Sequence, residues 1–103
     1  MTHEKFTIRR TGKPSLRFMG EYLGGASDHG FDDYRDDDLT LSLYRTAGGQ
    51  WVAVRSHIHR NGPDHLDAKA CRNLPEVYRF IGYSSAAMKL YEIADMAPIE
   101  YVV

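Results

Sequence analysis

The residues best placed to do chemistry are His57 and His59, two positions apart in the run Trp51 to Arg60. That run alternates as a strand does, and side chains two apart on a strand share a face, with Cα atoms roughly 6.5–7 Å apart. Two imidazoles at that spacing can converge on one metal ion, or one can act as a base beside the other. A carboxylate facing the pair would orient a ring and favour its charged form, and Asp38 is the candidate. Asp64, His65 and Asp67 follow within a few residues and could add ligands. A structural zinc ion needs four N or S donors and a catalytic one needs three with an open position. Only His57 and His59 are tied by geometry, while His65 and Cys71 stand at no recognised spacing. No metal is therefore assigned and no cofactor is expected. A metal-assisted or His-based small hydrolase centred on His57 and His59 is kept as an alternative, with the bland reading of a solvated sheet face beside it.

Trp51 and Arg55 extend the same alternation toward the turn. An exposed Trp beside Arg is a composition that binding hot spots favour, so this face reads first as a contact surface. Were the helices to cover it, Trp51 would be a core residue and the apolar face would be misassigned. The adjoining segment 27–38 carries Asp28, Asp32, Asp33, Asp36, Asp37 and Asp38 against Arg35, a local charge of −5. At about a dozen residues it is longer than most loops in compact domains. It lacks the alternating acidic positions, central Gly and terminal Glu of a calcium-binding EF-hand. It can serve as a negatively charged interaction surface, with Asp36, Asp37 and Asp38 nearest the hairpin. In that role it also admits a further alternative, an acidic nucleic-acid-mimicking inhibitor of a nucleic-acid enzyme.

Three other features carry less. Thr11-Gly12-Lys13-Pro14-Ser15 resembles a phosphate-binding loop only superficially, because Thr7 stands where the first Gly belongs and Pro14 where Ser or Thr belongs. Arg9, Arg10, Lys13 and Arg17 make a basic hairpin tip too narrow for a nucleic-acid interface. Cys71 has no adjacent base, with His65 the nearest candidate, and reads as a small buried hydrophobe.

The element that must position His57 and His59 is a hairpin over 39–60. With Gly48-Gly49 in its turn, Leu39, Leu41 and Leu43 oppose Ile58, Ser56 and Val54, and Arg45 opposes Val52. The other face pairs Asp38 with His59, Thr40 with His57, Ser42 with Arg55, Tyr44 with Ala53, and Thr46 with Trp51. Since the side-chain period is two, a one-residue slip would exchange these faces. Upstream, Lys5 to Thr11 alternates Phe6 and Ile8 against Thr7 and Arg9, a strand closed by a turn at 12–15. Leu16 to Ala26 reads as a second strand, with Leu16, Phe18 and Tyr22 on one face and Met19 and Leu23 on the other. Gly20, Gly24 and Gly25 in it signal bulges or close backbone approach.

Downstream, Leu66 to Arg72 reads as a helical turn or crossover. Pro75 opens a helix with Val77, Phe80 and Ile81 on one face and Gly82 as its stop. Ser84 or Ser85 caps a second helix whose stripe is Ala87, Leu90, Tyr91, Ala94 and Ala97, ended by Pro98. Ile99 to Val103 could pair as a short strand. The expected fold is α+β: a four-stranded antiparallel meander followed by two helices packed on one face, with a short C-terminal fifth strand.

The chain has 103 residues, 43% of them hydrophobic and 26% charged, which suits one domain over 1–103 with 1–4 frayed. A net charge of −1 gives no global drive toward nucleic acid or membrane. No apolar run reaches the roughly 20 residues of a membrane span, the first residues lack a signal-peptide layout, and a single cysteine allows no internal disulfide. A cytoplasmic setting is expected. The runs Leu16 to Glu21 and Leu41 to Val52 resemble the strand and turn segments of small uncharacterised bacterial α+β proteins; the resemblance implies a hairpin sheet and a bacterial origin, and no activity. The leading expectation is a protein-interaction domain, leaning away from an enzyme. Its contact residues would be Trp51, Arg55, His57, His59, Asp36, Asp37 and Asp38, its partner a protein. A homodimer through an exposed edge strand is open.

Overall fold

Five strands in chain order, each paired antiparallel to the next, form one sheet, and two helices follow it. The computed structural model describes residues 3–28, 37–59 and 64–97, with the backbone alone at 28, 37, 38, 58 and 59. The expected terminal strand at 99–103 lies outside the described residues.

β1 (Glu4–Arg10) and β2 (Lys13–Asp28) are joined by a turn tighter than expected, Thr11-Gly12, with Gly12 at φ 74. Their register sets Phe6 opposite Phe18 and Ile8 opposite Leu16, with Thr7 opposite Arg17 on the other face. The register steps past Pro14, which has no N–H to give a ladder, and its carbonyl accepts from Arg10 Nε at 2.8 Å.

β3 (Asp37–Thr46) pairs with β2 through a bulge at Leu23: Tyr22 faces Tyr44, and Gly24 faces Leu43. One extra residue reverses the alternation. β2 therefore sends Leu16, Phe18 and Tyr22 to one side of the sheet, then Gly24 and Ala26 to the other. Both glycine expectations hold. A Cβ on Gly20 would run into the Arg45 carbonyl, and one on Gly24 would lie 2.7 Å from Ile93 Cγ2 of the second helix.

β4 (Trp51–His59) pairs with β3 one residue away from the expected register. Leu39 faces His57, Leu41 faces Arg55, Leu43 faces Ala53, Tyr44 faces Val52 and Arg45 faces Trp51. The cause lies in the connection. Thr46 closes it, its N–H donating to the Gln50 carbonyl at 2.8 Å and its Oγ1 accepting from the Gln50 N–H at 2.9 Å. Only Gly49 of the two glycines takes a positive φ, 86°. The loop is thus centred on Gly48 rather than between the glycines. The leucine face of β3 stands as expected, with Leu41 and Leu43 fully buried, but the faces of β4 are exchanged.

β5 (His65–Cys71) replaces the expected helical turn. It pairs Cys71 with Trp51, Ala68 with Val54, Asp67 with Arg55 and His65 with His57. The sheet then curls until its ends meet. The Thr11 N–H donates to the Leu66 carbonyl and the Leu66 N–H to Thr11 Oγ1, both at 2.8 Å.

α1 (Leu74–Ile81) and α2 (Ser85–Ile93) have the caps their sequences announce. Asn73 Oδ1 accepts from the Glu76 N–H at 3.1 Å, and the Glu76 carboxylate accepts from the Arg72 N–H at 2.8 Å. Gly82, at φ 85, donates to the Tyr78 carbonyl. Ser84 Oγ accepts from the Ala87 N–H at 3.2 Å. Both helices lie on the leucine side, where Leu41, Leu43, Ala53 and Cys71 meet Val77, Tyr78, Leu90 and Tyr91 in one buried cluster. α2 stops at Ile93, short of the expected Pro98.

Candidate functional site

The corrected register moves the expected contact residues. Trp51, Arg55 and His57 stand on the leucine side of β4, toward the helices, rather than opposite it. Trp51 is half-buried against the core cluster, and the Arg45 guanidinium lies 3.9 Å from its ring centre. Arg55 reaches the end of α1: one guanidinium nitrogen donates to the Phe80 carbonyl at 2.9 Å, and the group lies 4.9 Å from the Phe80 ring centre. A cation at the last carbonyls of a helix opposes the negative end of its dipole, so Arg55 serves the fold here. His57 is half-buried between Leu39 and His65 across the strands.

The backbone sets Asp38 opposite Ile58 and Asp37 opposite His59, so the expected Asp38–His59 pair does not form as a register pair. Asp36 lies outside the described residues, and the acidic connection narrows to 29–36 because β2 and β3 extend into both its ends. Among the described residues no group of three or more His, Cys, Asp or Glu converges as a metal site would require.

The other side of the sheet carries what sequence reasoning saw only in parts. Phe6, Phe18 and Tyr44 form a closed triangle of rings, their centres 4.8 to 5.6 Å apart. Tyr22 joins through Tyr44 at 5.3 Å. Tilted and edge-on contacts at such distances are the favourable ones for aromatic pairs. Phe6 and Phe18 are direct register partners on β1 and β2, Tyr22 comes from the last position before the bulge, and Tyr44 from β3. The alternation that placed Leu16, Phe18 and Tyr22 together, and Tyr44 away from the leucines, was visible. Their meeting depends on strand order and on the bulge, which no local pattern discloses.

This cluster is only partly covered. Tyr22 is 54% exposed, and Phe6, Phe18 and Tyr44 are half-buried. A groove of about 480 Å³ opens over it, lined by Glu4, Phe6, Gly20, Glu21, Tyr22 and Tyr44. The Tyr22 hydroxyl leans along the sheet to the place a Cβ on Gly25 would fill. Burial, and then the neighbouring Tyr22, push the Tyr44 hydroxyl above its ordinary range, so it stays protonated and able to donate. The arrangement offers stacking surface, two phenols and the bordering carboxylate of Glu4. It offers no nucleophile with an adjacent base among the described residues.

Along the same face of β3, Ser42 and Thr40 continue from Tyr44, and Thr40 Oγ1 lies 3.3 Å from Ser27 Oγ. The β3 half of the expected polar face therefore survives and adjoins the aromatic cluster. Comparison of the chain with protein-family models, with curated proteins and with solved structures finds no match.

Proposed function

We propose that this chain is a protein-interaction domain whose contact surface is the helix-free face of the sheet, centred on Tyr22 and Tyr44. The observation that carries this reading is the aromatic cluster on a face that no described element covers, with Tyr22 more than half exposed. Tyrosine suits such a surface because it brings large area at low side-chain entropy and a polar tip. The polar strip of Thr40 and Ser42 extends the surface toward the acidic segment, whose Asp36, Asp37 and Asp38 would steer a basic partner during encounter.

The test is comparative capture from a cell extract with immobilised protein. Proteins retained by the wild type should be lost with Tyr22→Ala and kept with Lys89→Ala on α2, both variants giving the wild-type circular dichroism. Capture indifferent to Tyr22→Ala would remove this face from the function.

A further inference from the structure

We infer that the groove over the aromatic cluster receives a positively charged side chain, an arginine guanidinium presented by the partner protein. This rests on the contact-surface reading above and adds the chemistry of what is bound.

The first hairpin sorts its charges by face. Lys5 and Arg17 occupy register positions opposite Met19 and Thr7, on the side away from Phe6 and Phe18, and Arg17 Nε is held by Thr7 Oγ1 at 3.3 Å. Arg10 is spent at the seam, on the carbonyls of Pro14 and Ala68. Arg45 lies over Trp51 on the helix side. The groove is left with three aromatic residues and, on their face, one acidic residue, Glu4, and no Lys or Arg lines it. Glu21 borders it as well but stands opposite Arg45 and alternates toward the helix side. Glu4 shares the face of Phe6 by strand alternation and stands opposite Gly20. That pairing keeps the groove floor low, since Gly20 has no side chain to stand beneath the carboxylate.

An aromatic floor attracts cations through the negative face of each ring, and a carboxylate at the rim adds a fork that a guanidinium matches. An anion would meet Glu4 without compensation. A neutral apolar chain would fit the rings but leave the Glu4 carboxylate facing it. Arginine is favoured over lysine because its planar group stacks on a ring and pairs with a carboxylate at once.

The experiment follows backbone amide resonances of the full chain while a capped Gly-Arg-Gly peptide is added. A second titration uses the same peptide with citrulline, which keeps the shape and removes the charge. The expected result is saturable shifts at Phe6, Gly20, Tyr22 and Tyr44, about two- to fivefold weaker with citrulline. Glu4→Gln should weaken the arginine peptide by a similar factor, about two- to fivefold, and leave the citrulline peptide unchanged. Equal binding of the two peptides at these amides would overturn the inference while supporting the contact surface. Shifts elsewhere, or none, would overturn the inference alone, the contact surface being decided by Tyr22→Ala in the capture experiment.

Discussion

Cys71 ends β5 with its side chain fully buried, and its thiol donates to the Lys69 carbonyl at 3.7 Å. Burial pushes the thiol up from 9.0 to about 11, with Glu76 adding to the rise and Lys69 opposing it. Since the thiolate is the nucleophile, Cys71 should resist a disulfide reagent at pH 8 in the native protein and react once the chain is unfolded in urea. Rapid native labelling would contradict its burial. The same shift bears on stability. The folded state holds the proton after the unfolded chain has released it, so the contribution is whole below pH 9.0 and is lost as pH rises toward 11. The loss is on the order of 2–3 kcal/mol. Tyr91, buried and donating to the Gly82 carbonyl at 2.5 Å, is shifted in the same direction. Urea midpoints should therefore fall between pH 9 and 11, and fall less in Cys71→Ala than in the wild type. The sequence already indicated a small buried hydrophobe at this position. The element that buries it is a strand, β5, where the sequence predicts a helical turn or crossover.

At the scale of elements the two kinds of secondary structure are unequally legible. Helix ends are written in side chains a few residues apart, and Asn73, Pro75, Gly82 and Ser84 mark the two helices where they form. β5 is short and rich in alanine, a good helix former, although Leu66 and Ala68 alternate with Asp67 and Lys69 as a strand requires. Its strand state comes from β4 beside it. The β3–β4 register is not legible locally because two adjacent glycines suit several turns, and Thr46 decides among them through hydrogen bonds to Gln50. The end of α2 at Ile93 is hidden for a related reason. The N–H of Asp95 donates to the Glu92 carbonyl at 3.2 Å and that of Met96 to the Tyr91 carbonyl at 2.7 Å, a pattern that normally has glycine at the left-handed position. Here Asp95 occupies it at φ 57. Asp95→Gly should stabilise the domain by about 0.5–1 kcal/mol, by relief of a left-handed conformation that is unfavourable for residues with a Cβ. Thermal unfolding would check it, and a lower midpoint would show that the Asp95 side chain contributes more than its backbone strain removes.

At the scale of the whole molecule, one sheet has to supply two interiors. The helices take the side where Leu41, Leu43 and Ala53 align, and the opposite side must shelter its aromatics by curling. The curl is held at its seam by the two hydrogen bonds between Thr11 and Leu66, with Arg10 reaching the Ala68 carbonyl beside them. These contacts join residues 55 and 58 positions apart in the chain, which is why alternation within either strand could not announce them. Thr11→Val keeps the side-chain shape and removes the acceptor for the Leu66 N–H. The expected loss is about 0.5–1.5 kcal/mol. A seam closed by so few bonds should open as a unit separate from the helix-covered side, since local opening follows regions with few buried contacts. Hydrogen exchange in Thr11→Val should therefore quicken at Leu66 and along β1 well beyond any change at Leu90 in α2. Uniform quickening would mean that the curl and the helix-covered core unfold together. In that case the aromatic groove would be as rigid as the core beneath the helices, rather than a face whose width the seam controls.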